Sequence, residues 1–519
     1  MKRNSLTTAL LAGLAGAAGL VTTANAVNLN PDGLGQVLIY PFYTVDGDNS
    51  TQISVVNTTN RVKAVKVRFL EARNSKEVLD FNLYLSPFDV WTGAAISPPI
   101  VSGSPPGPGA LITNDTSCTV PRIPAGVSIP FRNYAYSGTN QDHPNSAVPV
   151  LSALERTRQG HIEMIEMGLL QTGSGATQLA EEATHTTGGS PLNCQALVNA
   201  WLPTGPWTAN GQANIDLPSG GLFGAGAIIE VAKGSLISYN AEAIEGFYTD
   251  NTAPGLLHAA PGTVDPDLRD ARTTTATVTA NVFANNAGIL RSETFPTGLN
   301  VPDPVSLLFM HDAIFNEYNT ETPIAGISEW VVTFPTKRYY VDSTTTAIAP
   351  FTDPFRNDGT SCEAITISYW DREERVPGTV PGTVDFSPPP PVGSPDVPAF
   401  CNEANVLAFN QSDFTSTSIL GAKPTTGLAG IGSNLDTTTV SGLVFQNGWA
   451  RIAFDDPTTP AADNVLTVAS SSNAYAGLPV VGFWAVGYVN LQAAPGILAT
   501  YTGTFRHRGS RGAPAPVVP

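Results

Sequence analysis

The chain has 519 residues, of which 42% are hydrophobic and 13% are charged, and its formal net charge is −17 at pH 7. A surface this acidic repels nucleic-acid phosphates and anionic lipids, so both are disfavoured as partners, whereas cations, glycans and other proteins remain open. The apolar fraction is sufficient for a substantial core, and the length corresponds to two or three domains or to one large β architecture.

Residues 1–26 have the three parts of a secretory signal peptide. A positive start (KR) precedes the apolar run 10–21 (LLAGLAGAAGLV), and small residues (ANA) then precede Val27. We therefore expect cleavage before Val27. No later apolar run reaches the roughly 18 residues of a membrane span, so none is expected. The expected location is the periplasm, the cell surface or the exterior of a Gram-negative bacterium.

The chain has four cysteines, Cys118, Cys194, Cys362 and Cys401. In an oxidising compartment an even number favours disulfides, and four cysteines allow three pairings. We favour Cys118 with Cys194 and Cys362 with Cys401, because each pair brackets one loop-rich region. A metal site is the alternative, but no pair has CxxC spacing and no His lies near enough to complete a ligand set.

Four successive strands are predicted after the leader. They are residues 36–43, 51–57, 64–71 and 78–85. The third strand alternates cleanly, with Val65, Val67 and Phe69 on one side and Lys66, Arg68 and Leu70 on the other. Strands at this spacing, separated by turns rich in Gly and Asn, are typical of an antiparallel sandwich.

The strand pattern resumes after an insertion. The insertion, residues 97–138, is rich in Pro and is expected to be a loop. Further strands are predicted at 160–170, 226–231 and 235–247. A second insertion, residues 172–220, is expected to hold one short helix near 195–201. We assign residues 27–262 to an N-terminal β-sandwich domain.

Residues 263–519 form a second predicted β-rich domain. Its strand candidates are 329–341, 362–370, 448–454 and 479–491. Asp303-Pro304 favours a helix through Asn316, with a buried strand as the alternative. Residues 377–398 are expected to be a proline-rich loop. The predicted fold is mainly β, with antiparallel β-sandwich (immunoglobulin-like) domains, long loop insertions and few short helices.

Three segments carry a resemblance to a known family. They are residues 53–93 (ISVVNTTNRVKAVKVRFLEARNSKEVLDFNLYLSPFDVWTG), 160–168 (GHIEMIEMG) and 330–340 (WVVTFPTKRYY). Together they resemble an uncharacterised family of secreted β-rich proteins from Proteobacteria. The resemblance implies an exported β-rich protein and carries over no catalytic residue.

The most suggestive stretch for chemistry is residues 160–168. As a strand it places His161 and Glu163 on one face and Glu166 on the other. A His and a carboxylate two residues apart suit acid–base catalysis or cation binding. The competing interpretation, which we favour, is an edge or exposed strand whose acids face water or pair with Lys and Arg. The chain has no GxSxG, HxxxH, GxxxxGK[ST] or GxGxxG motif.

Acidic turns are the second candidate. Asp265, Asp267 and Asp270 offer oxygen ligands at spacings that a Ca²⁺ loop uses, although Arg269 opposes a cation. Ordinary turn formation explains the same residues. A structural Ca²⁺ is the one cofactor that the sequence indicates.

Aromatic residues are the third candidate. They form a platform for sugar stacking if they are exposed, and ordinary strand packing if they are buried. The residues are Trp330, Trp370, Trp449 and Trp484, with Tyr339 and Tyr340.

Two functions follow from these patterns. The first is an exported non-enzymatic β-sandwich protein in cell-surface structure, adhesion or assembly, with other surface proteins or glycans as partners. The alternative is a secreted carbohydrate-binding or carbohydrate-active protein, which requires a groove where aromatic rings and two carboxylates converge.

Overall fold

The computed structural model describes most of the chain. The described residues are 26–99, 106–140, 142, 153–173, 178–253, 256–284, 288–296, 301–342, 346–356, 358–377, 384–385, 398–411, 418–423, 430–439, 442–454, 464–494, 497–512 and 515–516. The predicted leader, except Ala26, lies outside these residues, as do most of the proline-rich loop 377–398 and parts of both insertions.

The chain is mainly β. Its first strands are β1 (Asn28–Leu29), β2 (Val37–Thr44), β3 (Ser50–Asn57), β4 (Lys63–Glu71), β5 (Glu77–Leu85), β6 (Val90–Ile96), β7 (Ala110–Ile112), β8 (Cys118–Val120), β9 (Ile129–Pro130), β10 (Gln159–Leu170), β11 (Ile215–Asp216), β12 (Leu222–Glu230), β13 (Ser235–Asn240) and β14 (Glu242–Glu245).

The strands continue to the end of the chain. They are β15 (Thr277–Ala284), β16 (Ile289–Pro296), β17 (Met310–His311), β18 (Ala313–Asn319), β19 (Gly326–Thr333), β20 (Glu363–Ala364), β21 (Thr366–Asp371), β22 (Val384–Asp385), β23 (Ala399–Phe400), β24 (Ala404–Phe409), β25 (Gly432–Leu435), β26 (Asn447–Ala453), β27 (Val465–Val468), β28 (Asn473–Ala476), β29 (Leu478–Pro479), β30 (Val481–Ala494), β31 (Ile497–Arg506), β32 (Arg508–Ser510) and β33 (Ala515–Pro516).

The helices are short, as predicted. The α-helices are α1 (Leu179–Ala183), α2 (Cys194–Ala200), α3 (Pro206–Ala209), α4 (Asp303–Phe309) and α5 (Arg338–Val341). Single 3₁₀ turns cover Tyr134–Tyr136, Gly138–Asn140, Leu154–Arg158 and Thr322–Ile324.

Two sheets organise the first half of the chain. The main sheet has the order β1-β14-β2-β10-β4-β5-β8, with β11 also on β10, and the second sheet has the order β13-β12-β3-β6-β7-β9. One face of the main sheet shares a core with the second sheet, in which Leu38 and Val67 cluster with Ile53 and Ile228. This two-layer packing is compatible with the predicted sandwich.

The other face of the main sheet is also covered. There Ile39 and Ile165 cluster with Leu197 and Trp207 of the helical insertion and with Val278 of β15. Because both faces are buried, β2 and β10 are buried along their whole length. The second sheet has one buried face, so exposure alternates along β13.

Two further sheets organise the second half. The third has the order β22-β25-β24-β19-β30-β31 and the fourth has the order β21-β26-β18-β32. They share a core that contains Ile314, Trp330 and Ile452. Among the described sheet strands, β24 and β25 pair in parallel and the other neighbours pair antiparallel.

The two halves are in close contact. Val331 and Phe483 belong to the same core cluster as Leu38, and the Thr333 hydroxyl donates to the carbonyl of Pro41 at 2.7 Å. The division of the chain after residue 262 stays a prediction. Any boundary there is crossed by a continuous hydrophobic core.

Most predicted strands are present, with local differences. The predicted strand 235–247 is divided into β13 and β14, which belong to different sheets, and the second insertion holds α1, α2 and α3 where one helix was expected. The predicted strand 329–341 ends at Thr333, because Pro335 lacks an N–H for the ladder, and α5 follows. The predicted helix 303–316 ends at Phe309 and continues as β17 and β18. The insertion 97–138, expected to be a loop, contributes the short strands β7, β8 and β9.

The cysteines pair as the sequence favoured. Cys118 bonds Cys194 with an S–S distance of 2.05 Å, and Cys362 bonds Cys401 at 2.06 Å. The first bond ties α2 to β8 of the main sheet, so it holds the helical cover against that sheet.

Candidate functional site

The strand that carries the candidate acid–base residues is central in the main sheet. β10 pairs with β2 on one side and β4 on the other, and all its residues are buried. The expected edge position is therefore wrong. β10 is central because both of its sides are paired with other strands, and it is buried because residues far away in the chain cover both faces of the sheet.

Glu163 is committed to an ion pair inside the sheet. It lies opposite Arg68 of β4, and its Oε2 is 3.1 Å from Arg68 Nη1, while Arg68 Nε donates to Glu77 Oε2 at 2.9 Å. Burial alone would lower the pKa of Arg68, but the charges of Glu163 and Glu77 outweigh it and raise that pKa above its ordinary value. The guanidinium therefore stays charged, and it binds one carboxylate on each neighbouring strand.

His161 lies beside this pair without a hydrogen bond of its own. Its Nε2 is 3.7 Å from Glu163 Oε1, and neither ring nitrogen has a hydrogen-bond partner among the described residues. The side chain is 0% exposed. A substrate in solvent cannot touch an imidazole in this position, so His161 and Glu163 do not form an accessible acid–base pair.

The carboxylate of Glu166 is bound within the protein, where it stabilises the turn that precedes β12. Its carboxylate pairs with Lys63 Nζ at 2.6 Å and accepts the backbone N–H groups of Ser219 and Gly220 at 3.0 and 2.9 Å. Both members of the ion pair are fully buried. The neighbouring Glu245 has a pKa raised to about 7, first by burial and then by the charge of Glu166.

The acidic turn packs over the same face of the main sheet. Arg269 donates to Asp267 at 2.7 Å, and its guanidinium carbon lies 4.9 Å from the ring centre of Tyr339. Burial is the main cause that raises the pKa of Tyr339, followed by the charges of Glu163 and Asp267. Leu268 of this turn and Ile165 of β10 belong to one core cluster, so both sets of candidates lie on the same face of the main sheet.

Asp265 and Asp270 line a cavity of about 320 Å³ next to this turn. Burial, and then the charges of Asp267 and Asp265, raise the pKa of Asp270 to about 6. Asp270 also accepts the backbone N–H of Asp267 at 2.8 Å. In the part of the chain that the structure describes, no group of three or more His, Cys, Asp or Glu is placed to hold a metal ion. Calcium stays a prediction.

The aromatic candidates divide into buried and outward-facing rings. Trp330, Trp484 and Tyr340 are buried in the core of the third and fourth sheets. Trp370 and Trp449 are opposite each other on β21 and β26, and their rings stack with centres 4.1 Å apart. Trp449 is 41% exposed, so this pair is the part of the predicted platform that solvent reaches.

A Ser–His–Asp cluster that the sequence did not reveal lies beside the first disulfide. His185 Nδ1 is 2.6 Å from Ser86 Oγ and 3.5 Å from Asp89 Oδ2, and Thr116 Oγ1 is 3.2 Å from Nε2. Ser86 and Asp89 contact the same ring nitrogen, whereas a catalytic triad needs the nucleophile on the opposite one. Ser86 Oγ also donates to Ala183 O, so the cluster anchors the helical insertion.

A groove of about 700 Å³ lies beside the third sheet. Uncharged carboxamide and hydroxyl side chains dominate its polar lining, with Asp436 as the acidic member. The carboxamides are Asn410, Gln411, Asn434 and Gln446, and the hydroxyls are Thr320, Thr322 and Thr438. Its volume is within the range of small-ligand sites.

Comparison of the chain with protein family models, with curated proteins and with solved structures finds no match. None of the helices in the described residues combines the length and the apolar character that a membrane crossing requires.

Proposed function

We propose that the chain is an exported, non-enzymatic β-rich protein that acts in cell-surface structure, adhesion or assembly. One observation carries the proposal: the candidate acid–base residues His161, Glu163 and Glu166 lie on a fully buried central strand, where both carboxylates are paired with cations. Catalysis needs a group that can reach the substrate. These groups stabilise the sheet instead.

The rest of the chemistry is consistent with an extracellular structural role. Both disulfides close long loops, with sequence separations of 76 and 39 residues, and such bonds persist in oxidising compartments. The acidic composition disfavours nucleic acids and anionic lipids as partners. Surface proteins and glycans are the partners that this charge leaves open.

Cell fractionation of a Gram-negative host that expresses the full chain tests this proposal. We expect the protein in the surface fraction as material of high native mass, and a matched chain that lacks residues 1–26 should remain in the cytoplasm. A soluble monomer in the periplasm or medium would contradict a role in surface assembly.

Carbohydrate binding is the second candidate, and two features favour it. The groove beside the third sheet presents neutral amide and hydroxyl groups, which hydrogen-bond well to sugar hydroxyls. The stacked pair of Trp370 and Trp449 presents an indole to solvent. One observation opposes carbohydrate binding: none of the predicted aromatic residues lines the groove. A glycan chain would therefore have to contact the groove and the tryptophan pair at two separate places.

Affinity electrophoresis in gels that contain soluble polysaccharides tests glycan binding. For one of the polysaccharides we expect retardation that Trp449→Ala and Asn434→Ala each weaken at least tenfold. Tyr501→Ala is the matched control, because Tyr501 is an exposed ring on β31 outside both features and its loss should change nothing. Equal mobility of all variants with every polysaccharide would rule out this second function.

A further inference from the structure

The bond at which the leader is expected to be cut belongs to the folded sheet structure. Val27 N donates to Thr279 O at 2.8 Å, and Val27 O accepts the N–H of Asn281 at 2.8 Å. Through these bonds Val27 bridges to Ala280 of β15. Both main-chain groups of the first residue after the expected cut are therefore occupied.

The residues that follow are held by β14. Asn28 and Leu29 pair with Glu245 and Ile244, and Asn30 N donates to Ala243 O at 3.0 Å. The start of the mature chain is thus hydrogen-bonded to β14 of the main sheet and to β15. These two strands lie in the two different predicted domains.

Side-chain packing closes the site further. Val27 is fully buried in the core cluster that includes Ile244, Phe247 and Ala280. On the other side of the bond, the Ala26 carbonyl lies against Gly246, where an added Cβ would be 2.3 Å from the Ala26 oxygen. Gly246 has φ +68°, so glycine is required for the backbone conformation as well as for this close approach.

The geometry points to a processing site at Ala26–Val27 that is accessible only before the chain folds. This inference rests on the export that we propose above. A peptidase adds water across the bond, so that the carboxylate remains on Ala26 and the new amine remains on Val27. Proteases cut where the main chain is free to enter their active site, and here the carbonyl and N–H of Val27 are bound in the sheet. Folding and cleavage of the precursor therefore compete.

The mature amino terminus then has a structural role. Val27 keeps its donor nitrogen next to Thr279 and its side chain in the core, and it joins the N-terminal sheet to the β15–β16 hairpin. A precursor that folds before it is cut should keep its leader. A mature chain should fold with its terminal amine held at β15.

Digestion of the full-length precursor by signal peptidase tests the inference. The precursor is folded in one sample, and in the other it is unfolded in a urea concentration at which the peptidase remains active. N-terminal sequencing should find Val27 in the unfolded sample, with cutting at least tenfold slower in the folded one. Equal rates would overturn the inference and leave export intact. No cut at Val27 in either sample would instead contradict the expected leader, on which the export proposal depends.

Asn281→Pro sharpens the test. The N–H of Asn281 points to Val27 and therefore away from β16. Proline at this position removes the hydrogen bond to the Val27 carbonyl but removes no hydrogen bond between β15 and β16. The folded Asn281→Pro precursor should be cut faster than the folded wild type. Asn281→Ala keeps the N–H and should behave as wild type does.

A second measurement does not depend on any variant. In the mature protein, acylation of the Val27 amine near neutral pH should be at least tenfold slower in the native state than in urea. Lys233, whose side chain is 44% exposed and whose amine is 2.9 Å from Glu230, is the internal control, and its labelling should differ less between the two states than that of Val27. Equal labelling of Val27 in both states would contradict a terminal amine held in the sheet.

Discussion

The main sheet and the second sheet show two uses of strands that look alike in sequence. β4 of the main sheet (KAVKVRFLE) alternates charged and apolar residues, yet every residue is buried. β13 of the second sheet (SLISYN) alternates too, and every second residue is exposed. The difference is that the outer face of the main sheet is covered by the helical insertion and by segments near 256–282.

The comparison shows that alternation of polar and apolar residues identifies a strand. It does not show whether the polar face of that strand contacts solvent or other parts of the protein. On the main sheet the charged residues find partners on neighbouring strands, as Arg68 does with Glu163 and Lys66 with Asp80. A charge that is buried without a partner is costly, so each pair holds its strands in one register. Four predictions test this difference, from the largest expected effect to the smallest.

Arg68→Met should have the largest effect, because it leaves the fully buried Glu163 and the partly buried Glu77 without their cation. We expect a loss of about 3–5 kcal/mol in the free energy of unfolding, measured by urea denaturation. The matched change Arg61→Met breaks a pair with Asp216 in which both side chains are more than a third exposed, and should cost less than about 1 kcal/mol. Equal losses would mean that the buried network does not stabilise the main sheet.

Removal of the first disulfide should release the helical cover of the main sheet. Replacing Cys118 and Cys194 by Ser should cost about 2–4 kcal/mol. Replacing Cys362 and Cys401 should cost about 0.6 kcal/mol less, because that bond closes a loop about half as long. Urea denaturation of both double variants measures the difference, and a larger loss for the shorter loop would contradict the loop-closure explanation.

Glu403 offers a contrast to the paired carboxylates of β10. No ion pair within 4.0 Å is formed by Glu403 among the described residues, and burial, opposed by Lys337, raises its pKa to about 8 from 4.5. Between these pH values the folded chain binds more protons than the unfolded chain. The contribution of Glu403 to stability is therefore fully present below about pH 4.5 and is lost as the pH rises through about 8.

Glu403→Gln should remove this pH dependence. We expect a higher melting temperature than wild type at pH 8.5 and nearly the same value at pH 5, measured by thermal denaturation across the range. A variant that is destabilised equally at both pH values would indicate a packing role in place of a titrating one.

The smallest effect is expected at the exposed positions of β13. Leu236 is 51% exposed, so Leu236→Ser should change the free energy of unfolding by no more than about 0.5 kcal/mol. Ile237, the next residue, is buried, and Ile237→Ala should cost about 2–5 kcal/mol. Similar urea midpoints for the two variants would mean that the second sheet is covered on both faces, as the main sheet is.

Local patterns were sufficient for much of the architecture. Alternation and turn residues predicted the strands β2 to β5 and β10, and the spacing of the cysteines predicted both disulfides. These features depend on neighbouring residues or on loops between two points of the chain, so a sequence can encode them directly.

The environment of the candidate site was decided by tertiary structure. His161 and Glu163 became inaccessible because distant residues cover their face of the sheet. Leu268 and Tyr339 pack in the same cluster as Ile165 of β10, although they lie more than a hundred residues further along the chain. The Ser86–His185 contact joins residues 99 positions apart. Such contacts depend on how sheets stack and which loops cover them, and no periodicity within one strand carries that information.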